Sequence, residues 1–254
     1  AGANPVSDVG SDGGFEERGT YFAGRDPSSL GTADLDGDQH LDLLTDSWRD
    51  ERWGFLLGKG DGTFEELRRH PGALEPGALV PCDVDGDGLV DVLATQPNDN
   101  LLSIYPNLGD GTFGSPREYF AGDWPTDLTP ADLDGDGVED LAVANPDENR
   151  ISILLGLGDG RFRAAWAPPV EGYLGLYRLR AGDLNGDGRV DFAGVRFESS
   201  GRIVVALATP DGTLDAETFL RVGDYPWSLE LVDLDGDGDL DVVTANNGSE
   251  DISV

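Results

Sequence analysis

Carboxylates dominate the residues of this sequence that could do chemistry, and they recur in a nine-residue pattern. Residues 132–140 read DLDGDGVED, with aspartate at positions 1, 3, 5 and 9 of the pattern. Carboxylates this close repel one another unless a cation lies among them. Ca²⁺ accepts about six to eight oxygen ligands in an irregular geometry, and glycine at positions 4 and 6 lets the backbone bend around an ion. The pattern therefore predicts a calcium-binding loop.

The sequence contains five copies of this loop. We predict that the side chains at positions 1, 3, 5 and 9 and the backbone carbonyl at position 7 bind one ion in each copy. The predicted ligands are Asp34, Asp36, Asp38, His40 and Asp42; Asp83, Asp85, Asp87, Leu89 and Asp91; Asp132, Asp134, Asp136, Val138 and Asp140; Asp183, Asn185, Asp187, Arg189 and Asp191; and Asp233, Asp235, Asp237, Asp239 and Asp241. Since each ion is wrapped by its own loop, we expect up to five calcium ions with a structural role.

The five loops are not expected to bind calcium equally. Gln39 stands at position 6 of the first loop, where the other loops have glycine, and a positive φ there would carry a steric cost. Asn185 replaces the position-3 aspartate of the fourth loop and removes one negative charge. We therefore predict the tightest binding in loops 83–91, 132–140 and 233–241.

Each loop is part of a longer sequence repeat, and the other segments of that repeat must position the loop. The first residues of the loops are 49, 49, 51 and 50 residues apart. In each unit an apolar stretch precedes the loop, and two short β-like runs follow it. A tight turn such as GDGTF and a last run complete the unit, and Asp-Gly between apolar runs is a hairpin signal. Four short strands per unit predict an all-β fold, a β-propeller of about five four-stranded blades. A solenoid of stacked hairpins is the alternative.

The two ends of the sequence are predicted to share the last blade. Residues 251–254 align with the start of the third strand of repeat 3, and residues 6–22 contain the turn and fourth strand that repeat 5 lacks. We expect residues 6–22 to complete that blade, so that residues 1–254 form one closed propeller domain. The same strand could instead complete the last blade of a neighbouring molecule in a head-to-tail filament. The sequence could also be a fragment of a longer repeat array.

The loops differ from EF-hands and resemble another repeat family. An EF-hand needs a glutamate at position 12 and flanking helices, and neither is present here. The sequence resembles the FG-GAP repeat and the related VCBS repeat over essentially its whole length. The matching residues are YFAG at 21–24 and 119–122, DLDGDG at 132–137 and 233–238, and LLGLGDGRF at 154–162. The resemblance implies a propeller with calcium between the first two strands of each blade, as in integrin α-chain propellers and several fungal and bacterial propeller lectins.

The composition limits the possible binding partners and the cellular location of the protein. The 254 residues include 50 acidic and 17 basic residues, a formal net charge of −33. Nucleic acid is excluded as a partner because its phosphates need a basic surface, and no apolar run is long enough to span a membrane. The lone Cys82 cannot form an internal disulfide, and we expect a buried free thiol. Bound calcium would replace disulfides in a secreted or cell-surface protein.

No catalytic motif is present, so we predict a non-enzymatic binding or adhesion module. Its expected partner is a glycan, as for a lectin, or an extracellular protein. The candidates for stacking on sugar rings, each of which could equally be a packing residue, are Trp48, Trp53, Trp124, Trp166, Trp227, Tyr177 and Tyr225. Two alternatives are a structural subunit of an extracellular fibre assembled by strand sharing, and a polysaccharide-active enzyme that uses two of the many carboxylates.

Overall fold

The structure, a computed structural model, describes residues 6–9, 15–17, 19–47, 52–72, 75–165, 175–196, 199, 201–210, 214 and 218–254. Every regular element in these residues is a β-strand, apart from a 3₁₀ turn at Pro97–Asp99. The predicted all-β class is therefore confirmed. No helix within these ranges has both the length and the apolar character needed to cross a bilayer.

The strands follow the repeats. The N-terminal strands are β1 (Val6–Val9) and β2 (Phe15–Glu17). Repeat 1 contributes β3 (Leu30–Ala33), β4 (Asp42–Ser47), β5 (Arg52–Leu56) and β6 (Arg68–Arg69), and repeat 2 contributes β7 (Leu79–Cys82), β8 (Asp91–Gln96), β9 (Leu101–Tyr105) and β10 (Arg117–Phe120). Repeat 3 contributes β11 (Asp127–Ala131), β12 (Asp140–Asn145), β13 (Arg150–Gly156) and β14 (Phe162–Ala165). Repeat 4 contributes β15 (Leu176–Gly182), β16 (Asp191–Arg196), β17 (Arg202–Ala206) and β18 (Thr218–Arg221), and repeat 5 contributes β19 (Pro226–Val232), β20 (Asp241–Asn246) and β21 (Asp251–Ser253).

Each repeat forms one sheet in which neighbouring strands are consecutive in the chain. Repeats 1 to 4 form four-stranded sheets, and the described part of repeat 5 forms a three-stranded sheet. Strand pairing is antiparallel: Ala142 of β12 lies opposite both Thr129 of β11 and Ile153 of β13. One such up-and-down sheet per repeat is the blade of a β-propeller, and the predicted fold class is confirmed.

The N-terminal strands pair with each other, with Val6 opposite Glu17. Contacts divide the chain into two compact units, the first formed by residues 1–83, 87–96 and 103–118 and the second by residues 84–86, 97–102 and 119–254. The completion of the last blade by residues 6–22, and a single domain over residues 1–254, stay predictions.

Each unit has its own apolar core, built mainly from second and third strands. In the first unit Trp53, Phe55 and Tyr105 pack with Leu44 and Val92. The core of the second unit contains Ala142, Ile151, Leu176, Leu179, Phe192 and Val204. All residues of β8 and β12 are buried, which explains their nearly continuous apolar sequences.

Cys82 is only partly buried, so the expectation of a buried thiol was wrong. It is the last residue of β7, whose last three residues are all only partly buried.

The tyrosine of the YFAG motif packs against the following blade. Tyr119 Oη accepts a hydrogen bond from the backbone N–H of Phe162 at 3.2 Å, and the two rings meet edge to face with centroids 5.9 Å apart. Tyr21 makes the same contacts with Phe64, at 3.2 Å and 5.4 Å. The motif thus fixes the end of one repeat against the turn of the next.

Candidate functional site

Each predicted calcium loop lies between the first and second strands of its blade. The residue before the loop pairs with the position-9 aspartate: Ala33 with Asp42 and Ala131 with Asp140. The same pairing occurs in the other three blades. The position-9 aspartate is therefore the first residue of the second strand. Four of these aspartates are buried: Asp42, Asp91, Asp140 and Asp191.

The position-9 carboxylate fastens the loop to the hairpin that follows it. Asp140 accepts the backbone N–H of Leu133 through Oδ2 at 3.0 Å and that of Gly156 through Oδ1 at 2.7 Å. Asp42 and Asp191 make the equivalent pairs of bonds. Each carboxylate oxygen has a second lone pair, so these bonds orient the group without using all of its acceptor capacity.

Aspartates at positions 1 and 5 are oriented by the backbone of the loop itself. Asp132 accepts the N–H groups of positions 4 and 6 at 2.8 and 3.0 Å. Asp183 and Asp233 make the same two bonds. Asp136, at position 5, accepts the N–H of position 7 at 2.9 Å. These bonds wrap the backbone around the carboxylates and turn their oxygens toward one another.

In four loops, three aspartates converge closely enough to hold one ion. One carboxylate oxygen from each of the three lies within 4.8 Å of the other two. The sets are Asp34, Asp36 and Asp42; Asp83, Asp85 and Asp91; Asp132, Asp134 and Asp136; and Asp233, Asp235 and Asp241. The third member of each set, beside positions 1 and 3, is the position-9 aspartate in three loops and the position-5 aspartate in loop 132–140. The predicted ligands Asp38, Asp87, Asp140 and Asp237 belong to these loops but lie outside the sets.

Two observations fit a hard cation in these loops. Oδ1 of Asp85 is buried without a hydrogen-bond partner in the described part of the chain, whereas buried polar atoms normally have one. Burial raises the pKa of Asp42 and of Asp140, and burial together with the neighbouring Asp38 carboxylate raises that of Asp36. No cationic side chain offsets this rise at Asp42 or Asp140 among the described residues, whereas Arg68 opposes it at Asp36. An all-oxygen donor set suits Ca²⁺.

The fourth loop departs from the others because it contains its own cation. The Arg189 guanidinium forms an ion pair with the Asp187 carboxylate, and Arg189 Nε donates to the Ala208 carbonyl at 2.9 Å. Asn185 accepts the N–H of Asp187 at 2.9 Å. Sequence reasoning identified the lost charge at Asn185 but missed this ion pair, for which the arginine at position 7 was the available signal. Weaker binding in this loop stays a prediction.

Position 7 is held in the loop whatever its side chain. Its backbone N–H donates to the position-5 carboxylate at 2.8 to 3.0 Å in every loop. The donors are His40, Leu89, Val138, Arg189 and Asp239. This backbone contact explains the free variation of the side chain, and coordination by the position-7 carbonyl stays a prediction.

Positions 4 and 6 require a left-handed backbone. The φ angle is +72° to +80° at position 4, and +83° to +96° at position 6 in the four loops with glycine there. Gln39 has a φ of +70°, so the condition under which glutamine carries a steric cost at this position is met. A side chain with a Cβ is strained in this conformation.

A second candidate site, which we call the aromatic surface, consists of Trp124, Tyr177, Tyr225 and Trp227 in the second unit. These side chains are 37% to 54% exposed. They stand six or eight residues before the calcium loops of blades 3, 4 and 5, at the start of each first strand. A strand rises about 3.3 Å per residue, which places the aromatic surface roughly 20 Å from the loops. The two candidate sites are therefore at opposite ends of the blades.

A cavity adds polar groups beside one member of the aromatic surface. It is lined by Trp227, Asn246, Asn247, Glu250 and Asp251, together with Ala245 and Ile252. Asn246 Nδ2 donates to Asp251 Oδ1 at 2.8 Å. An aromatic face next to a few polar groups is typical of small-ligand sites. The sequence analysis missed these polar residues, although the run NNGSED after β20 was visible.

The remaining tryptophans do not belong to this surface. Trp53 is fully buried and stacks on the His70 ring, with centroids 4.4 Å apart. It is therefore a packing residue, and its candidacy as a sugar contact was wrong because neighbouring strands cover it. Trp48 and Trp166 lie outside the described residues.

Three charged side chains connect β11, β15 and β19, the first strands of blades 3, 4 and 5, at whose starts the aromatic surface lies. Arg180 of β15 contacts the buried Asp127 of β11, with Nη1 and Oδ2 3.1 Å apart. The same guanidinium makes a bidentate contact with Glu230 of β19, at 2.8 and 3.0 Å. Burial raises the pKa of Asp127, and the charges of Arg180 and Arg178 oppose this rise. We call these residues the Asp127–Arg180–Glu230 network.

A family model described as FG-GAP-like repeat matches residues 83–143, 132–194 and 183–244. The three matches together cover more than half of the chain, and each begins at the first aspartate of a predicted calcium loop. No curated protein sequence matches the chain.

Several solved structures are similar to this chain. A lectin of Agrocybe aegerita that recognises non-reducing terminal N-acetylglucosamine is 22% identical, with a TM-score of 0.51 over 76% of this chain and 51% of the lectin. A putative 6-phosphogluconolactonase of Bacteroides fragilis is 14% identical, with a TM-score of 0.56 over 95% of this chain and 72% of that one. A biofilm matrix protein of V. cholerae is 18% identical, with a TM-score of 0.48 over 96% of this chain and 38% of that one.

The chain spans about half of the lectin's length and a smaller share of the biofilm protein's length. At these identities the similarities concern the fold alone.

Proposed function

The chain belongs to the family of proteins built from FG-GAP-like repeats, and we propose that it is an extracellular, calcium-stabilised module that binds glycans without catalysing a reaction. The observation that carries this proposal is the aromatic surface with its adjoining polar cavity. Trp227 is 54% exposed near the start of β19, and the indole, which combines an apolar ring with one polar N–H, is enriched at binding interfaces. The Agrocybe aegerita lectin is an example of a protein with a similar fold whose ligand is a sugar.

Calcium would have a structural role in this module. The side chains at positions 1, 3, 5 and 9 would hold the ion, whose charge would offset the repulsion between the carboxylates of each loop. Because the position-9 aspartate is hydrogen-bonded both to its own loop and to the next hairpin, ordering the loop also orders the blade. An extracellular location agrees with this role, since extracellular calcium saturates sites that are too weak to fill inside cells.

The charge of the chain narrows the glycan class to neutral or amine-bearing sugars. The formal net charge is −33, and the cavity beside Trp227 contains Glu250 and Asp251. Glycans rich in uronic acid or sulfate would be repelled by this field. Carboxylate groups can instead accept hydrogen bonds from hydroxyl, acetamido or amino groups, and side-chain amides can both accept and donate them, while a sugar ring stacks on the indole.

A glycan array probed in calcium tests the proposal. We expect binding to neutral or amino sugars, and at least a roughly tenfold loss of affinity in Trp227→Ala, as for a buried tryptophan anchor at an interface. Phe219→Ala is the matched control, because Phe219 is an exposed aromatic residue on the fourth strand of blade 4.

Failure to bind any glycan at high protein concentration would contradict the proposal, as would equal affinities for the two variants. Release of reducing ends from a polysaccharide would instead support the alternative of an enzyme.

A further inference from the structure

One buried amide joins the first two calcium loops. Asn107 is 5% exposed and lies in the turn after β9. Its Nδ2 donates to the carbonyl of Leu35 in the first loop at 3.0 Å and to that of Val90 in the second loop at 2.9 Å. Its backbone N–H donates to Oδ1 of Asp91 at 2.8 Å. Both loops are therefore bonded to the same residue.

The connection continues to the base of the first loop. The N–H of Leu35, which is fully buried, donates to Oδ2 of Asp42 at 2.7 Å. An unbroken series of hydrogen bonds thus runs from Asp91 through Asn107 and Leu35 to Asp42. Its two ends are the position-9 aspartates of neighbouring loops. Buried hydrogen bonds connected in this way hold one another in place.

The orientation of the amide is fixed. Oδ1 of Asn107 accepts the N–H of Gly109 at 2.9 Å, while both Nδ2 hydrogens are used by the two loop carbonyls. The turn that contains Asn107 also packs closely against the first loop: a Cβ built on Gly111 would lie 3.4 Å from Cβ of Asp36. A shift of either loop would therefore disturb the hydrogen bonds of Asn107.

Equivalent positions in the other described repeats lack this bridge. Gly58, Gly156 and Ala208 each donate a backbone N–H to the position-9 aspartate of their own loop at 2.7 Å. None of the three has a side-chain amide. The backbone bond is therefore general, and the side-chain bridge is particular to Asn107.

We propose that Asn107 couples calcium binding in loops 34–42 and 83–91, so that occupancy of either loop raises the affinity of the other. This inference rests on the proposed calcium binding. Ordering of the second loop fixes Asp91, and through Asn107 it also fixes the Leu35 peptide and Asp42. The first loop then loses less conformational freedom when it binds its own ion. Such coupling is reciprocal by thermodynamic necessity.

A histidine signal provides a site-specific measurement. The chain contains two histidines, and His40 lies within the first loop with Nδ1 2.9 Å from Oδ2 of Asp38. NMR of the full chain labelled with ¹³C-histidine therefore follows the occupancy of the first loop during a calcium titration. The second loop is silenced by Asp85→Ala, and the matched control is Asp134→Ala, the same position of the third loop.

We expect Asp85→Ala to raise the calcium concentration at the His40 midpoint by about fivefold or more, a usual size for coupling between sites. Asp134→Ala should leave the midpoint unchanged. In an Asn107→Ala background, which installs the residue found at Ala208, Asp85→Ala should no longer move the midpoint. The same comparison is made in an Asn107→Gly background, which installs the residue found at Gly58 and Gly156. Thermal melting checks that each variant folds.

Equal midpoints in the wild type and Asp85→Ala would overturn the coupling while leaving calcium binding intact. A shift that persists in both Asn107 backgrounds would overturn the role of Asn107. A His40 signal that does not respond to calcium, together with no calcium bound by calorimetry, would overturn the proposed calcium binding and the coupling with it.

Discussion

At the scale of single residues, a left-handed backbone recurs at one position of every repeat, and it is strained in the four repeats without glycine there. The residue eight positions before each calcium loop has a positive φ, between +48° and +71°. These residues are Asp26, Glu75, Trp124, Gly175 and Tyr225. Four of them precede proline, which further restricts their backbone. Strain of this kind persists where the surrounding structure enforces it and is common at binding sites. Two members, Trp124 and Tyr225, belong to the aromatic surface.

Gln39 offers a direct test of strain within a calcium loop. We expect Gln39→Gly to raise the free energy of unfolding by about 0.5 to 1 kcal/mol, because glycine accepts the φ of +70° without a steric cost. Urea unfolding in saturating calcium measures this change. The reverse substitution in the second loop, Gly88→Gln, should lower stability by a similar amount. A destabilised Gln39→Gly would contradict this account.

His70 occupies the place that tyrosine has in two other repeats. It lies 43 residues before Phe113, as Tyr21 does before Phe64, and it meets Phe113 edge to face. Burial lowers its pKa from the ordinary value of 6.5. Its Nδ1 accepts the N–H of Gly72 at 3.1 Å, and protonation of Nδ1 would remove this bond.

This environment predicts a loss of stability in mild acid. Because the pKa of His70 is lower in the folded chain than in the unfolded chain, its contribution is complete above about pH 6.5 and declines as the pH falls below that value. We expect His70→Tyr, which installs the residue of Tyr21 and Tyr119, to melt with a smaller pH dependence between about pH 7.5 and 5.5. Parallel pH profiles of the melting temperature for the two proteins would be incompatible with this prediction.

At the scale of secondary-structure elements, ion pairs as well as packing connect the first strands of neighbouring blades. The Asp127–Arg180–Glu230 network connects β11, β15 and β19, and its central guanidinium makes contacts on both sides. Asp127 is 5% exposed and also accepts the N–H of Leu179 at 2.9 Å. The network holds in register the three strands that begin at the aromatic surface.

Removal of the central charge should be costly. Arg180→Met removes the guanidinium that contacts the buried Asp127 carboxylate and leaves only the charge of Arg178 acting on it. We expect a loss of about 3 to 5 kcal/mol in the free energy of unfolding. The control Glu230→Gln should cost less than about 1 kcal/mol, since Glu230 is exposed. Denaturant unfolding in calcium compares the two variants. Adding Asp127→Asn should restore part of the stability of Arg180→Met, and an unchanged double mutant would argue against a charge effect.

At the scale of the whole molecule, the dominant property is negative charge. Five calcium ions would offset only ten of the 33 net negative charges, so the chain would stay acidic and repel anionic partners even when loaded. The loops predicted to bind the ions also end the first strand and begin the second strand of every blade. Chelation should therefore act on the entire fold.

We expect excess EDTA to lower the melting temperature substantially. A site held at 100 times its Kd contributes about 2.7 kcal/mol to stability, and several sites act together. Differential scanning calorimetry in calcium and in EDTA measures the difference, with magnesium as a control for ionic strength. An identical melting temperature in both solutions would count against a structural role for calcium.

Molar mass in solution tests the alternative of strand sharing between molecules. If residues 6–22 complete the last blade of their own chain, light scattering in calcium should give a monomer near 26.9 kDa. Large assemblies that dissociate in EDTA would instead support a fibre subunit.

The sequence by itself determined the features that depend on residues close together in the chain. A nine-residue loop closes through bonds between neighbours, such as Asp132 with Gly135 and Gly137, so its residue types and spacing were sufficient to predict it. Strand number and the position of each loop between two strands followed from hairpins with short connections. The positive φ at Gln39 was also predictable, because the other loops have glycine there.

Only the tertiary structure decided which side chains are buried and which distant residues meet. Trp53 and Trp227 have the same residue type, yet one is covered by neighbouring strands and the other is exposed. Asn107 and Leu35 are 72 residues apart in the chain, and Arg180 is 53 residues from Asp127. Such contacts depend on how one blade packs against the next, and hydrophobic periodicity within a repeat contains no information on that packing. The loops could therefore be predicted from the sequence. The Asn107 bridge between two of the loops, and the exposure of the side chains that form the aromatic surface, could be identified only from the fold.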